Sequence, residues 1–175
     1  MYLSICIATK NRSEKINKSI EHLVFSFENL LRKKNLFLDK LEICIADSSN
    51  DCLTEKCVQF FIDKKFKNII FQYKKIPAEG IDKGFKEAVL MSTGELTWLL
   101  SDDDFLSKNA FVYLDKIFSK SDKYTDLFIV NGTMNDYYNK FVLKNSRLPF
   151  YSKSLFSWSD LCPDFRLKVF GYMCL

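Results

Sequence analysis

The chain has 175 residues, enough for one domain with a real core, and its 47% hydrophobic and 15% aromatic content excludes a disordered polypeptide. Its formal net charge of +4 comes from lysines spread along the chain rather than gathered in one arm, so the composition offers no sign of a nucleic-acid partner. Six cysteines without a C-x-x-C pair, and a single histidine, His22, remote from them in sequence, exclude the usual zinc spacings and suit a reduced cytoplasmic protein with buried thiols.

Residues 3–8 (Leu-Ser-Ile-Cys-Ile-Ala) form a short, β-branched apolar run that breaks into Thr9, Lys10, Asn11 and Arg12, which reads as a strand followed by a polar loop. With Leu3 already in a strand, no leader peptide is expected before it, and no apolar run approaches a membrane span. Ile16, Ile20, Leu23, Val24, Phe27, Leu30 and Leu31 then recur at helical spacing, with Ser13 as the expected cap and Arg32, Lys33 and Lys34 suiting the far end. His22 falls on this helix as a surface or half-buried side chain. A second strand, 41–46, ends at Asp47, Ser48, Ser49, Asn50 and Asp51, and a helix follows with Leu53, Cys57, Phe60 and Phe61 as its expected apolar positions.

A third strand is expected at 68–73, a turn at Pro77 and Gly80, and a helix whose face is traced by Ile81, Phe85, Ala88, Val89 and Ser92, with Gly94 ending it. The next apolar run, Leu96, Thr97, Trp98, Leu99 and Leu100, stops at Ser101 and three consecutive carboxylates, Asp102, Asp103 and Asp104. Ser107 is the expected cap of a helix carrying Ala110, Phe111, Leu114, Ile117 and Phe118. Residues 126–130 read as a further strand, 137–143 as a hairpin, 157–161 as a short helix and 169–175 as a strand. The apolar end at Leu175 suggests truncation or a split gene.

Alternating strands and helices define an α/β fold with a mostly parallel central sheet flanked by helices. Ligands of such sheets bind beyond the carboxyl ends of the strands, which assigns residues 9–12, Asp47 and the Asp triplet to one rim. Taken alone, an Asp triplet is most often a solvated turn or a helix cap, and Asp47 is as much a cap residue as a site residue. Yet three adjacent carboxylates repel one another, and no basic residue lies within the next three positions. A bound cation would relieve that repulsion.

Other chemistries lack their motifs. Neither G-x-G-x-x-G nor G-x-x-x-x-G-K-[ST] occurs, so a dinucleotide fingerprint and a P-loop are both unsupported. His22 in mid-helix suits no Ser-His or Cys-His nucleophile. An aspartyl-phosphate enzyme would need an acid at the end of the first strand, where this chain has Thr9, Lys10, Asn11 and Arg12.

The runs 3–12, 43–51 and 94–104 resemble, in residues, order and spacing, the successive motifs of family 2 glycosyltransferases, which have the Rossmann-like GT-A fold. The resemblance covers roughly the first three quarters of the chain and implies a nucleotide-sugar-binding core at 1–132, with 133–175 beginning an acceptor-side region that is incomplete. It implies that Thr9, Asn11 and Arg12 line the nucleotide pocket, that Asp47 meets the base, that the Asp82 segment passes beside the nucleotide, and that the triplet takes the ribose and a metal-bound diphosphate. Mn2+ or Mg2+ is the implied cofactor. Relatives often have an acid where this chain has Ser101, so the D-x-D motif reads either as Asp102 with Asp104 or shifted towards Asp103. Asp103 and Asp104 are taken as nearest the metal and Asp102 as nearest the ribose. Inverting relatives use a downstream carboxylate as base, and Asp160 and Asp164 are the last acids available, without a motif around either.

The implied activity is transfer of a sugar from a nucleotide-diphosphate donor to a glycan or lipid-linked acceptor, in bacterial surface-polysaccharide synthesis. The implied setting is the cytoplasm, at the inner face of the membrane, which a mildly basic protein would suit. The rival readings are a truncated, non-catalytic nucleotide-sugar-binding domain and a regulatory α/β domain that senses metal or nucleotide.

Overall fold

The computed structural model of the protein describes residues 1–120. The expected elements at 126–130, 137–143, 157–161 and 169–175, and with them Asp160 and Asp164, lie outside the described residues. Four strands alternate with four helices: β1 (Tyr2–Thr9), α1 (Ser13–Leu31), β2 (Lys40–Asp47), α2 (Leu53–Asp63), β3 (Ile69–Lys75), α3 (Ile81–Met91), β4 (Leu96–Leu99) and α4 (Ala110–Phe118). The strands form one parallel sheet in the order β3-β2-β1-β4. This is the parallel α/β architecture of a Rossmann-like GT-A fold.

β1 and β2 are central and buried almost throughout, as near-continuous apolar runs in parallel sheets require. Side chains alternate between the two sheet faces, and this alternation decides how each helix docks. On one face Cys6, Ala8, Cys44 and Ala46 are small, and α3 sits directly on them with Gly84 and Ala88. A Cβ on Gly84 would lie 2.8 Å from that of Ala8, and the Cys6 thiol donates to the Ala88 carbonyl at 3.3 Å. The expected face of α3 holds at Ala88 and is corrected at Ile81 and Val89. Its buried residues are Gly84 and Ala88, while Ile81 and Val89 are exposed, because only small side chains allow so close an approach.

The opposite face carries Leu3, Ile5, Ile7, Leu41, Ile43 and Ile45, whose bulk matches the stripe of α1 made by Ile16, Ile20, Leu23, Val24, Phe27 and Leu30. Here helical spacing and structure agree. Phe27 meets Phe111 of α4 edge to face at 5.3 Å. On α2 the buried residues are Thr54, Val58 and Phe61, whereas Leu53 and Phe60 are exposed, so that helix is turned relative to the face expected for it. His22 is exposed, its ring 5.2 Å from that of Phe105.

Helix ends also differ from expectation. Arg12 rather than Ser13 caps α1, and α4 begins at Ala110, well past Ser107. α3 ends at Met91 with Ser92 extended, before Gly94 is reached. Gly94 serves a different need: a Cβ there would stand 2.5 Å from Ser4 Oγ, 2.8 Å from Ser4 N and 2.9 Å from Tyr2 O. Two of these neighbours are β1 backbone and cannot move aside. Gly94→Ala should therefore lower the unfolding free energy by about 1–3 kcal/mol, the usual range for overpacking, in urea denaturation. A wild-type midpoint for that variant would refute the assignment.

Glu42 lies beneath the sheet at this crossing and is 1% exposed. Its carboxylate accepts from the Ser4 hydroxyl at 2.5 Å, the Gln72 amide at 2.6 Å, and the backbone N–H and hydroxyl of Thr93 at 2.8 and 3.0 Å. Ser4 Oγ in turn accepts from Gly94 N–H at 2.8 Å. One buried anion thus joins β1, β2, β3 and the turn into β4. Among the described residues no helix is long and apolar enough to cross a membrane.

Candidate nucleotide-sugar site

The carboxyl ends of β1, β2 and β4 open onto one rim. Thr9 and Asp47 are register partners across β1 and β2, and Leu100 N–H donates to Cys6 O at 3.0 Å, which brings the Asp triplet alongside. The loops after β1 and β2 are laced together. Ser48 N–H donates to Thr9 O at 3.0 Å, Asn11 N–H to Ser49 Oγ at 2.8 Å, and Asn50 N–H to Asn11 Oδ1 at 2.9 Å. Asn11 holds a left-handed conformation, φ 54°, which asparagine tolerates better than most side chains.

Asp47 is fully buried, and four protein donors fill its acceptor sites. Oδ1 takes the Ser49 N–H at 2.8 Å and the Ser49 hydroxyl at 2.5 Å; Oδ2 takes the Tyr73 hydroxyl at 2.8 Å and Lys75 Nζ at 3.0 Å. Burial opposes the charge on Asp47, but these donors outweigh it and hold the carboxyl below its ordinary range. Burial, together with the Asp47 charge, pushes the Tyr73 hydroxyl above its own. An outside donor could reach Asp47 only if one of the four let go, and Lys75, itself well exposed, is the one with water to receive it.

Within the triplet the three carboxylates have three different surroundings. Asp102 is 3% exposed and accepts from the Thr9 hydroxyl at 2.7 Å and from Arg12 at 2.9 Å. Asp103 accepts from the Ser101 hydroxyl at 2.6 Å on one oxygen, and from Lys15 at 3.1 Å and Arg12 at 3.5 Å on the other. The Ser101 bond, helped by these two cations, holds it below the ordinary carboxylate range despite partial burial. The Asp104 carboxylate accepts from the backbone N–H of Ser101 and has no ion pair among the described residues, and burial with the neighbouring charges of Asp103 and Asp102 raises its pKa.

The repulsion expected within the triplet is thus relieved by cations from α1, about ninety residues earlier in the chain. A polar ridge on that helix holds them in place. Ser19 donates to Asp104 O at 3.3 Å, Ser26 to Ser107 O at 3.0 Å and Asn29 to Lys108 O at 3.1 Å, so residues 104–108 are pinned along α1. The ridge was visible in the sequence as polar residues at helical spacing, Arg12, Lys15, Ser19 and Ser26, but its meaning depended on what lies across from it. Sequence reasoning also missed Ser49, Tyr73, Lys75 and Ser101. Asp82 stands exposed in the first turn of α3 and shares no hydrogen bond or ion pair with the cluster.

Among the described residues no three His, Cys, Asp or Glu side chains converge as a ready-made metal cage. The donor set nevertheless suits a hard divalent ion. Mg2+ or Mn2+ is commonly held by one or two carboxylates together with substrate phosphates, and Asp104, without an ion pair among the described residues, adjoins Asp103, whose cationic partners are exposed and exchangeable.

A parallel α/β sheet with polar loops and clustered carboxylates at its carboxyl edge is the architecture of a GT-A-type glycosyltransferase domain. The chain belongs to that class's glycosyl transferase family 2, whose sequence profile matches residues 4–167. It is 30% identical over 114 residues to the abequosyltransferase RfbV of Salmonella typhimurium, an alignment covering 65% of this chain and 32% of that protein. Its fold is similar to that of S. aureus TarS residues 1–349, with a TM-score of 0.51 and 17% identity over 69% of this chain and 33% of that one. The same fragment in complex with UDP gives a TM-score of 0.51 over 69% and 32%. The chain spans about a third of the length of the curated relative it matches.

Proposed function

We propose that this chain is the donor-binding half of an inverting, metal-dependent glycosyltransferase that takes its sugar from a nucleoside diphosphate and delivers it to a glycan or lipid-linked acceptor at the cytoplasmic membrane face. One observation carries the reading: three polar strand ends meet on one rim, where Asp104, without an ion pair among the described residues, adjoins Asp103, which two exposed cations hold. Anionic phosphates and a divalent ion are both accommodated by that charge pattern. The Salmonella relative is an abequosyltransferase, and glycosyl transfer is the reaction in its name.

In this reading Thr9, Asn11 and Arg12 line the nucleotide pocket. Asp47 orders the loops against which the base rests, and touches the base only if Lys75 yields. Asp102, anchored by Thr9 and Arg12, faces the ribose, and the Asp82 segment passes beside the nucleotide. Asp103 and Asp104 would hold Mn2+ or Mg2+, which when bound would offset charge on the departing diphosphate. Residues 1–132 form this core, while 133–175 begin the acceptor side, where Asp160 or Asp164 would deprotonate the acceptor hydroxyl.

The test is a titration of nucleotide sugars and free nucleoside diphosphates, UDP among them, with and without Mn2+, followed by a donor-hydrolysis assay. We expect a Mn2+-dependent preference for one nucleotide sugar, and Asp103→Ala should weaken it at least tenfold. The reading fails if no nucleoside diphosphate binds and Asp103→Ala changes nothing. Binding without hydrolysis or transfer would favour a non-catalytic donor-binding domain. Equal binding of free nucleotides and nucleotide sugars would favour a sensing domain.

A further inference from the structure

Lys15 has no place in the roles given above, yet among the described residues it is the cation nearest to Asp103, a carboxylate proposed to face the metal. We propose that Lys15 guards Asp103: it occupies the carboxylate in the free protein and moves onto the phosphates when a nucleoside diphosphate arrives, so that divalent cation and nucleotide bind the rim cooperatively. The proposal deepens the donor-site reading and rests on it for the nucleotide half.

The two cations of α1 differ in how they are held. Arg12 is anchored at 2.9 Å to Asp102, which is nearly fully buried, and reaches Asp103 only at 3.5 Å. Among the described residues Lys15 has a single partner, Asp103, at 3.1 Å, and the two side chains are 51% and 41% exposed. An ion pair this exposed contributes little to stability, so it exchanges readily. The location is also adverse for a cation on its own account, because Lys15 lies in the first turn of α1, at the positive end of the helix. Asp103 offsets that, and a phosphate could do the same.

Competition follows from where the contacts fall. Lys15 and Arg12 both address Oδ2 of Asp103, while Ser101 holds Oδ1. A divalent ion held by Asp103 and Asp104 would stand near the Lys15 ammonium, which lies 3.1 Å from Asp103, and like charges so near repel. Such an ion alone would also leave the rim with surplus positive charge. A diphosphate cancels that surplus and offers the displaced ammonium new acceptors. Each ligand therefore lowers the cost of binding the other, and by linkage the effect is reciprocal.

The experiment uses the full chain and two variants, Lys15→Met, which keeps an apolar stem without charge, and Lys15→Arg, which keeps the charge. Mn2+ affinity is measured by electron paramagnetic resonance, first alone and then with uridine, adenosine, guanosine, cytidine and thymidine diphosphates in parallel. Without nucleotide, Lys15→Met should bind Mn2+ about two- to tenfold more tightly than wild type, the fold-change that corresponds to removing an exposed like charge. With the nucleotide that binds best, the same variant should lose about tenfold in nucleotide affinity, and the cooperativity should shrink towards none. Lys15→Arg should behave as wild type. Unchanged or weaker Mn2+ binding by Lys15→Met overturns the guard role, as does an absence of Mn2+ binding in every variant. If no nucleoside diphosphate binds the wild-type chain, the donor-site reading fails, whereas the manganese measurement still decides whether Lys15 screens Asp103.

Discussion

Replacing Glu42 with alanine should lower the unfolding free energy of the protein by about 3 kcal/mol, the largest loss expected from any single polar side chain in the described fold. Glu42 is 1% exposed and has no cation beside it among the described residues; its carboxylate accepts from the hydroxyls of Ser4 and Thr93, the amide of Gln72 and the backbone N–H of Thr93. Removing it leaves several enclosed donors without an acceptor, and each unsatisfied group costs about 1–3 kcal/mol. Burial by itself would raise the Glu42 pKa, but the four donors more than reverse this and set it at about 2, against an ordinary 4.5.

The pH dependence follows in sign. Because the folded-state pKa is depressed, the stabilisation is complete above the ordinary carboxylate pKa and is lost as pH falls from about 4.5 towards 2. A shift of that size corresponds to about 3 kcal/mol, consistent with the cost of deletion. Urea denaturation between pH 7 and pH 3 should show wild-type stability falling below about pH 5, and Glu42→Gln should lack that part of the decline. A Glu42→Ala protein within about 0.5 kcal/mol of wild type would mean that the network contributes nothing, since this is the range of a neutral surface substitution.

Asp47→Ala is expected to damage both stability and donor binding. Four donors converge on this carboxylate, and two of them, the N–H and hydroxyl of Ser49, belong to the loop that also receives Asn11. Without Asp47 the lacing between the β1 and β2 loops has no fixed acceptor at its base. Breaking a buried ion pair from one side costs about 3–5 kcal/mol, but Lys75 is partly exposed and its ammonium can hydrate, so about 2 kcal/mol is the reasonable expectation. Nucleotide affinity should fall by about tenfold or more, because the pocket's residues would no longer be held in place.

Asp47→Asn separates holding from reading. An amide can keep the Ser49 bonds on its oxygen, but its nitrogen cannot accept from Tyr73 and Lys75. If Asp47 acts by ordering the loops, the asparagine variant should keep most of its affinity for nucleotide while losing stability. If it reads the base directly, affinity should fall as far as in Asp47→Ala and the choice among bases should relax. Thermal unfolding and the nucleotide titration, made on both variants, decide between the two.

Much of the architecture could be read from local pattern. The apolar runs of β1 and β2 and the 3.6-residue stripe of α1 each depend on residues close in sequence, and the structure has them where periodicity puts them. The same rule misplaced the faces of α2 and α3. On α3 the branched side chains of Ile81 and Val89 gave the stronger apolar signal, but the sheet surface opposite consists of Cys6, Ala8, Cys44 and Ala46, against which only Gly84 and Ala88 can approach. A helix's own sequence does not contain the size of the surface it will meet.

The site divides in the same way. The sequence by itself determined the order of strands and helices, the polar ending of each strand on the rim, and membership of the glycosyltransferase family, since all three rest on residue types at short spacing. Tertiary structure alone decided how the charges are partnered: that Arg12 and Lys15 face the Asp triplet, that Asp47 arrives with its acceptor sites filled, and that Asp104 has no ion pair among the described residues. The physical reason is range. Backbone periodicity acts over a few residues, whereas ion pairs and hydrogen bonds here join groups up to about ninety positions apart, and only the folded chain brings them to between 2.7 and 3.1 Å.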